Sequence, residues 1–318
     1  MNNKTCKVAV VGAGYMAREH IRAFQDVPGV TVLGIHSRTR AKAEALAQEF
    51  GQMAVCDSVD ELYEKTQADL VVVAVQELSV NHVCQACFVH PWMALIEKPA
   101  GYNLADAMEI EAAARSRDRR AFVALNRRHY GSTRAVLSDL ENFVGPRLIK
   151  IQDQEAPAAA LESGQPELVV QNWMYANSIH LIDYFSILAR GQVSNVAQTI
   201  RFDSARPRYV AATITFDSGD IGLYEAIWDG PGPWTVSVNT DGKRWEMRPL
   251  EKAAYQINGS RVLQPAPDDA WDTQFKPGLR HQAQMAVDAV HAATGQPAGL
   301  PTLQDALASM RLTHAIYS

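Results

Sequence analysis

The sequence predicts an α/β protein in two parts: a doubly wound parallel sheet, followed by an α+β part built on a large, open, mostly antiparallel sheet. Three observations predict it. A β-branched run, Lys7 to Val11, passes without a gap into Gly12-Ala13-Gly14-Tyr15-Met16-Ala17. Short apolar strands and helical stretches then alternate as far as Leu125. After Gly191 strand follows strand, separated by the hairpin signals Asp217-Ser218-Gly219-Asp220, Asp241-Gly242 and Asn258-Gly259. The expected domains are 1–125, which binds a dinucleotide, and 126–318, which binds substrate and oligomerises. The C-terminal helix is a candidate to pack back on the first domain.

The first strand shows no alternation, as suits a strand buried on both faces. The glycine run after it is G-x-G-x-x-A, the fingerprint of a Rossmann-type dinucleotide site. Gly12 allows the tight turn, Gly14 lets backbone approach a pyrophosphate, and Ala17 lets the helix pack close. That helix, about Met16 to Asp26, points its N-terminal N–H groups at the phosphates. Val30 to Ile35 is the second strand. Its end carries His36-Ser37-Arg38-Thr39-Arg40, with no carboxylate to accept from a ribose 2′-hydroxyl. Ser37 and Arg38 suit a 2′-phosphate, which favours NADP over NAD. The alternatives are that Arg38 and Arg40 merely open the next helix, or that Arg38 stacks on adenine.

Ala41 to Phe50 reads as a helix ended by Gly51, and Met53 to Cys56 as a short strand. Ser58 caps the next helix, with Glu61 three residues on. Asp69 to Val75 is the most apolar strand. Gln76 to Val80 reads as a loop, and His82 begins a helix that His90-Pro91-Trp92 ends. Met93 to Ile96 leads into Glu97-Lys98-Pro99, so an ammonium sits at the carboxyl edge of the sheet, where open α/β folds bind ligands. Its ordinary alternative is a solvated charge pair at a strand end. Asn103 to Asp118 is helical, and Ala121 to Leu125 is the last strand of this part.

In the second part, Asn126-Arg127-Arg128-His129-Tyr130 is polar and cationic. Arg127, Arg128 and Tyr130 suit a sugar or a phosphate; the two arginines suit solvent equally well. Ser132 to Asn142 reads as helix, Leu148 to Gln152 as strand, and Ala156 to Glu167 as loop. Asn172 to Ala189 is a long apolar helix in which Asn177, His180 and Tyr184 share a face at i, i+3 and i+7. The expected strands are Val196 to Phe202, Tyr209 to Phe216, Ile221 to Trp228, Trp234 to Thr240, Arg244 to Arg248, Ala254 to Ile257 and Arg261 to Leu263. One sheet face packs on helices. The other, with Thr235, Ser237, Asn239 and Arg244, is exposed or paired with another subunit. Pro277-Gly278 precedes a helix from Leu279 to Ala293, and a final helix runs from about Leu303.

The net charge of −5 with no basic block argues against nucleic acid as a partner. The apolar runs are too short to span a bilayer, and Met1 to Lys7 lacks the apolar core of a signal peptide, so the cytoplasm is the expected compartment. The four cysteines make no disulfide framework. Cys84 and Cys87 form a C-x-x-C without a second ligand pair, which favours core packing over zinc, and no metal is expected.

This order of motifs, from Gly12 to Ala17, Ser37-Arg38, His82 and Glu97-Lys98-Pro99 to a helix with His180-Leu181-Ile182-Asp183 and an antiparallel sheet, resembles the glucose–fructose oxidoreductase, inositol dehydrogenase and rhizopine-catabolism (Gfo/Idh/MocA) family over essentially the whole chain. The stretches 126–130 and 276–278 look like branches acting on sugars and nucleotide sugars. The resemblance implies a cofactor site of Gly12, Gly14, Tyr15, Met16, Ala17, Ser37, Arg38, Val75, His82, Glu97 and Lys98. It implies a substrate site of Lys98, Arg127, Tyr130, Asn177, His180 and Tyr184. Lys98 would polarise the reacting oxygen, His180 would be the general acid/base, and Glu97 would support the cofactor end; a cis Lys98–Pro99 peptide is implied too. Ala176 stands where many members carry an Asp, and Asn177 beside it is expected to orient His180. Prolines often seen after the fourth strand are replaced by Gln76-Glu77-Leu78-Ser79. The implied activity is hydride transfer between a nicotinamide and a secondary alcohol or ketone of a sugar, polyol or nucleotide sugar, in a homodimer or homotetramer joined through the C-terminal sheet. A non-catalytic dinucleotide-binding regulator on the same fold is the rival reading.

Overall fold

The computed structural model describes residues 5–51, 53–292 and 299–318. The expected start of the N-terminal segment and the expected helix end at residue 293 lie outside them. In chain order the elements are β1 (Cys6–Val11), α1 (Tyr15–Gln25), β2 (Val30–His36), α2 (Arg40–Glu49), β3 (Ala54–Cys56), α3 (Val59–Thr66), β4 (Leu70–Val73), α4 (Val80–Cys87), β5 (Met93–Glu97), α5 (Leu104–Ser116) and β6 (Ala121–Ala124). There follow α6 (Gly131–Leu140), β7 (Leu148–Glu155), α7 (Pro157–Glu162), α8 (Glu167–Gln171), a π-helical turn (Met174–Ser178), α9 (Ile179–Leu188), β8 (Val193–Ile200), β9 (Tyr209–Phe216), β10 (Ile221–Trp228), β11 (Thr235–Asn239), β12 (Lys243–Met247), β13 (Ala253–Ile257), β14 (Gln264–Pro265), α10 (Ala270–Gln274), α11 (Leu279–His291) and α12 (Leu303–Tyr317).

The chain divides into two compact units, 1–129 with 271–306 and 130–270 with 307–318. The division is not the single cut expected at 125. Residues 271–306 return to the first unit because α11 has an apolar face: Leu279, Ala283, Ala286 and Val287 share a buried cluster with Ala17, Ile21 and Phe24 of α1.

In the first unit the sheet order is β3-β2-β1-β4-β5-β6, all parallel. The strand order reverses between β1 and β4, with β2 and β3 added on one side and β4 to β6 on the other; this is the switch point at which such sheets bind ligands. Apolar clusters cover both faces, so β4 and β5 are buried throughout. Cys84 and Cys87 belong to one of these clusters. Burial pushes the Cys87 thiol up to about 12 and Cys84 well above its usual value, as fits two packing residues.

In the second unit eight strands run β14-β13-β12-β11-β7-β10-β9-β8, antiparallel except for the β7–β10 pair. One face, with Ile149, Ile151, Val210, Ile214, Tyr224, Val236 and Trp245, packs on Val136, Leu181 and Phe185 of α6 and α9. The other carries Lys150, Gln152 and Glu225, bonded across strands. Opposite charge near the sheet end is tied down by Asp220. Burial opposes its charge, but bonds from the Arg190 side chain and from the backbone N–H groups of Arg190 and Arg147 hold its carboxyl below the ordinary range.

Several expectations change. The expected loop 156–167 holds α7 and the start of α8, because Pro157 at a helix start is followed by three alanines. The single helix 172–189 is a π-helical turn leading into α9. The edge strand β8 begins at Val193 and ends at Ile200, earlier than expected, and the last strand is Gln264–Pro265, not 261–263. α4 opens at Val80, after a 3-10 turn Glu77–Ser79, two residues before His82. Among the described residues no helix is long and apolar enough to cross a membrane.

Candidate functional site

At the C-terminal ends of β1, β2 and β4 a cleft of about 310 Å³ is lined by Gly12, Gly14, Ser37, Arg38 and Val75, all expected, and by Thr39, Lys42, Gln76, Ser79 and Val83, which were not. Gly12 has φ +115°, and a Cβ there would lie 2.0 Å from the Ala74 carbonyl oxygen. No L side chain fits this turn. A Cβ on Gly14 would meet no protein atom within 4 Å, so the backbone is open on the side where a ligand would approach. Ala17 is fully buried, as close helix–strand packing requires. Met16 is half-buried and packs on the same core. Tyr15 is exposed, with the Lys276 ammonium 5.4 Å from its ring centre.

Ser37 accepts from the Thr39 N–H, and Arg38 is exposed beside it. Arg40 is held by Glu44 and Asp57, so it belongs to the start of α2. His82 is exposed on α4 and is not among the cleft-lining residues; Ser79 and Val83 reach the cleft instead, since α4 begins earlier than the sequence suggests.

Glu97 ends β5 and is buried. Its carboxylate lies 2.6 Å from His20 Nε2 on α1 and accepts from the Lys98 N–H at 3.2 Å. The strand end is thereby pinned to the helix that the glycine fingerprint opens. His20 carried no sequence signal beyond its place on the inward face of α1. Lys98 is half-buried, and its peptide to Pro99 is cis. Through the β5–β6 register, Glu97 lies opposite Ala124, so Asn126 and Arg127 leave the sheet at the neighbouring edge. Asn126 donates to the Pro277 carbonyl at 3.0 Å, and His129 Nδ1 lies 3.3 Å from His281 Nδ1. The stretches 126–129 and 276–278, singled out separately in the sequence, therefore meet. Arg127 and Arg128 are half-buried in this turn.

In the second unit, His180 is the second residue of α9 and is buried. The π turn breaks the expected regular helical face of Asn177, His180 and Tyr184. Asn177 donates its amide to Glu155 at 2.8 Å. Tyr184 is buried in the core with its hydroxyl 3.1 Å from the Thr133 hydroxyl. Tyr130 is buried in the same core and caps α6. Glu155 was passed over because a lone acid at a strand end gives no hint of burial. Among the described residues no cluster of His, Cys, Asp and Glu could hold a metal ion.

Residues 6–125 match the family described as oxidoreductase family, NAD-binding Rossmann fold (GFO_IDH_MocA). Over 123 residues the chain is 28% identical to glucose-6-phosphate 3-dehydrogenase of Bacillus subtilis (strain 168), a stretch covering 39% of this chain and 34% of that protein. A longer match, 25% identical over 281 residues, covers 84% of this chain and 75% of D-apiose dehydrogenase of Paraburkholderia graminis. Among solved structures, UDP-N-acetylglucosamine 3-dehydrogenase from Acidithiobacillus ferrooxidans superposes with a TM-score of 0.77 at 14% identity, covering 98% of this chain and 97% of that one. At that identity the superposition speaks for the fold of both units.

Proposed function

We propose, on the premise that residues 6–125 match the family described as oxidoreductase family, NAD-binding Rossmann fold, that the chain is a cytoplasmic NAD(P)-dependent oxidoreductase acting on a sugar, polyol or nucleotide sugar. The observation that carries the reading is the fingerprint cleft at the switch point, with Glu97 and Lys98 at the edge of the same sheet. The named relatives, all sugar or nucleotide-sugar dehydrogenases, support the substrate class.

The cleft residues fit a dinucleotide: Gly12 and Gly14 leave backbone exposed, and α1 offers its N-terminus to a pyrophosphate. When bound, a nicotinamide supplies the hydride donor or acceptor. Arg38 and Lys42 with Ser37, and no carboxylate on the β2 end, favour NADP. Lys98 holds the reacting oxygen and stabilises its alkoxide character. His180 takes or returns the hydroxyl proton, a role suited to an imidazole near neutral pH. Arg127 and Arg128 bind a hydroxyl or phosphate of the substrate. The exposed face of the second unit's sheet joins copies of the chain, a reading tested by light scattering of the purified protein and of a Glu225→Arg variant.

The central test is absorbance of the reduced nicotinamide with a panel of sugars and nucleotide sugars, each with NAD and with NADP. Turnover of at least one sugar is expected, with NADP preferred. A protein that binds the dinucleotide yet turns over nothing would be a regulator on this fold.

A further inference from the structure

A polar seam runs through the interior of the second unit beneath the turn that carries His180. Glu155, the last residue of β7, is wholly buried. One of its carboxyl oxygens accepts from the Asn177 amide at 2.8 Å, and the other meets the Ser178 hydroxyl at 2.9 Å. The Ser178 hydroxyl also lies 3.1 Å from that of Tyr317, which lies 2.8 Å from that of Tyr224, which donates to Asp153 at 2.7 Å. Asn177 and Ser178 are the last two residues of the π-helical turn, and His180 follows two residues later.

A π turn is a local widening that regular helical bonding does not favour, and it persists where something outside the helix holds it. The turn's other small residue, Ala176, offers no polar side chain. Glu155 supplies two of the anchors, from a strand in the middle of the sheet whose own position is fixed by neighbours on both sides. Among the described residues no cation pairs with Glu155.

We propose that Glu155 is the positioning residue for His180: by gripping Asn177 and Ser178 it fixes the π turn, and through it the direction of the imidazole. The proposal rests on His180 being the acid/base of the reaction. The carboxyl acts as a neutral group. Burial first, and then Asp153 two residues back on the same strand face, push Glu155 well above the ordinary carboxyl range, so burial favours its neutral form. The groups that face it are Asp153 from its own strand, Tyr224 from β10, Tyr317 from α12, and Asn177 and Ser178 from the turn. Burial, and then Asp153, raise both tyrosines as well, so every hydroxyl in the seam is neutral. Asn177 donates to one carboxyl oxygen and Ser178 to the other. Glutamine keeps the shape and an acceptor for Asn177, and the Ser178 hydroxyl, which can donate or accept, meets the rest of its amide.

The test uses the full chain with its histidines isotope-labelled, the His180 ring signal being assigned from a His180→Asn variant. In Glu155→Gln the His180 titration midpoint should stay within about 0.2 unit of wild type, and in Glu155→Ala it should move by about half a unit or more. On the substrate found by the panel, kcat should fall at least about tenfold in Glu155→Ala and less than about twofold in Glu155→Gln, with dinucleotide affinity unchanged in both. If Glu155→Ala does not fold, Asn177→Ala, which cuts one of the two links, carries the same expected displacement of the His180 midpoint. A Glu155→Gln protein that behaves like the alanine variant would overturn the proposal, since the charge would then be what matters. An unmoved midpoint in the alanine variants would overturn it too. The titration needs no turnover, so a wild-type protein inert to every sugar sinks the functional reading alone.

Discussion

Lys98 and His180 are held in opposite ways. Lys98 follows a strand buried on both faces, in a parallel sheet whose course follows from the backbone: an apolar run, a glycine turn with positive φ, a helix packed close through Ala17. His180 follows a widened helical turn whose course depends on a carboxyl from another strand, 22 residues away in sequence for Asn177 and 23 for Ser178. The first kind of support is local and repeats wherever the same short motif occurs. The second is a set of side-chain bonds in the interior, and one substitution removes it. The comparison predicts that substitutions near Lys98 act on chemistry or on folding as a whole, while those beneath His180 act through geometry and pH.

The largest effect is expected at Lys98. Lys98→Ala should lower kcat by roughly a thousandfold while dinucleotide affinity changes far less, since the variant loses the charge proposed to stabilise an alkoxide. Steady-state kinetics paired with fluorescence titration of the dinucleotide measures both. Equal turnover in the variant would remove Lys98 from the chemistry. Next is Gly12→Ala. With a Cβ 2.0 Å from the Ala74 carbonyl oxygen and φ at +115°, the turn must shift. A loss of about 3 kcal/mol in urea unfolding is expected, together with weakened dinucleotide binding. An alanine variant as stable as wild type would mean that the tight approach of β1's end to β4 is not needed.

The contrast also explains what could be read from the sequence. The parallel sheet, its order of elements and the cleft residues Gly12, Gly14, Ser37, Arg38 and Val75 are legible because each follows from a run of neighbours: an apolar strand, a glycine at a turn, a polar strand end. The antiparallel strands are legible from their turn signals, with edges displaced by a few residues at β8 and β14, where only one neighbour fixes the register. What was not legible depends on partners distant in sequence. His20 is an ordinary helix residue until β5 brings Glu97 to within 2.6 Å of it. Glu155 looks like a strand-end acid until the π turn brings Asn177 and Ser178 onto it. The π turn is invisible because its sequence, Met174 to Ser178, is compatible with a regular helix, and only the grip on Asn177 and Ser178 selects the wider form.

His20→Leu tests whether the first unit, too, relies on a non-local pair. Both partners are buried, so the variant leaves the Glu97 carboxylate without its ring partner, at a cost of about 2 kcal/mol in unfolding free energy. No loss of stability would confine the pair to a bystander's place.

Glu155→Gln should act on the pH dependence of stability. Glu155 holds its proton in the folded chain at pH values where the unfolded chain has released it. Its contribution is therefore whole below the unfolded carboxyl range, and it drains away as pH rises toward the folded value. Glutamine has no proton to lose. The variant should match wild type near pH 4 and grow relatively more stable at each step toward pH 9, as followed by thermal unfolding. Asp220 works in the other direction: its lowered carboxyl adds stability at neutral pH that is lost as pH falls below the ordinary range. A stability difference that is flat with pH would mean that Glu155 is ionised when folded.

The smallest effect is expected at Arg38, and it bears on the most local of the readings. The residue is exposed at the rim of the cleft, next to Ser37 and near Lys42, so any phosphate it meets is also met by solvent and by a second cation. An exposed guanidinium–phosphate contact is screened by salt and shared among neighbours, which limits the loss on removing it. Arg38→Ala should raise the Kd for NADP by about tenfold, or about 1.4 kcal/mol, and leave that for NAD within about twofold. The gap should narrow as salt is added, because the contact lies in water; a buried contact would keep it. A wild-type protein that prefers NAD tenfold or more would remove the premise, since Ser37 and Arg38 would then be reading something other than a 2′-phosphate. In that case the start of α2 would be a solvated helix end, and the one part of the cofactor cleft inferred from charge alone would have been misread, while the parts inferred from backbone shape would stand.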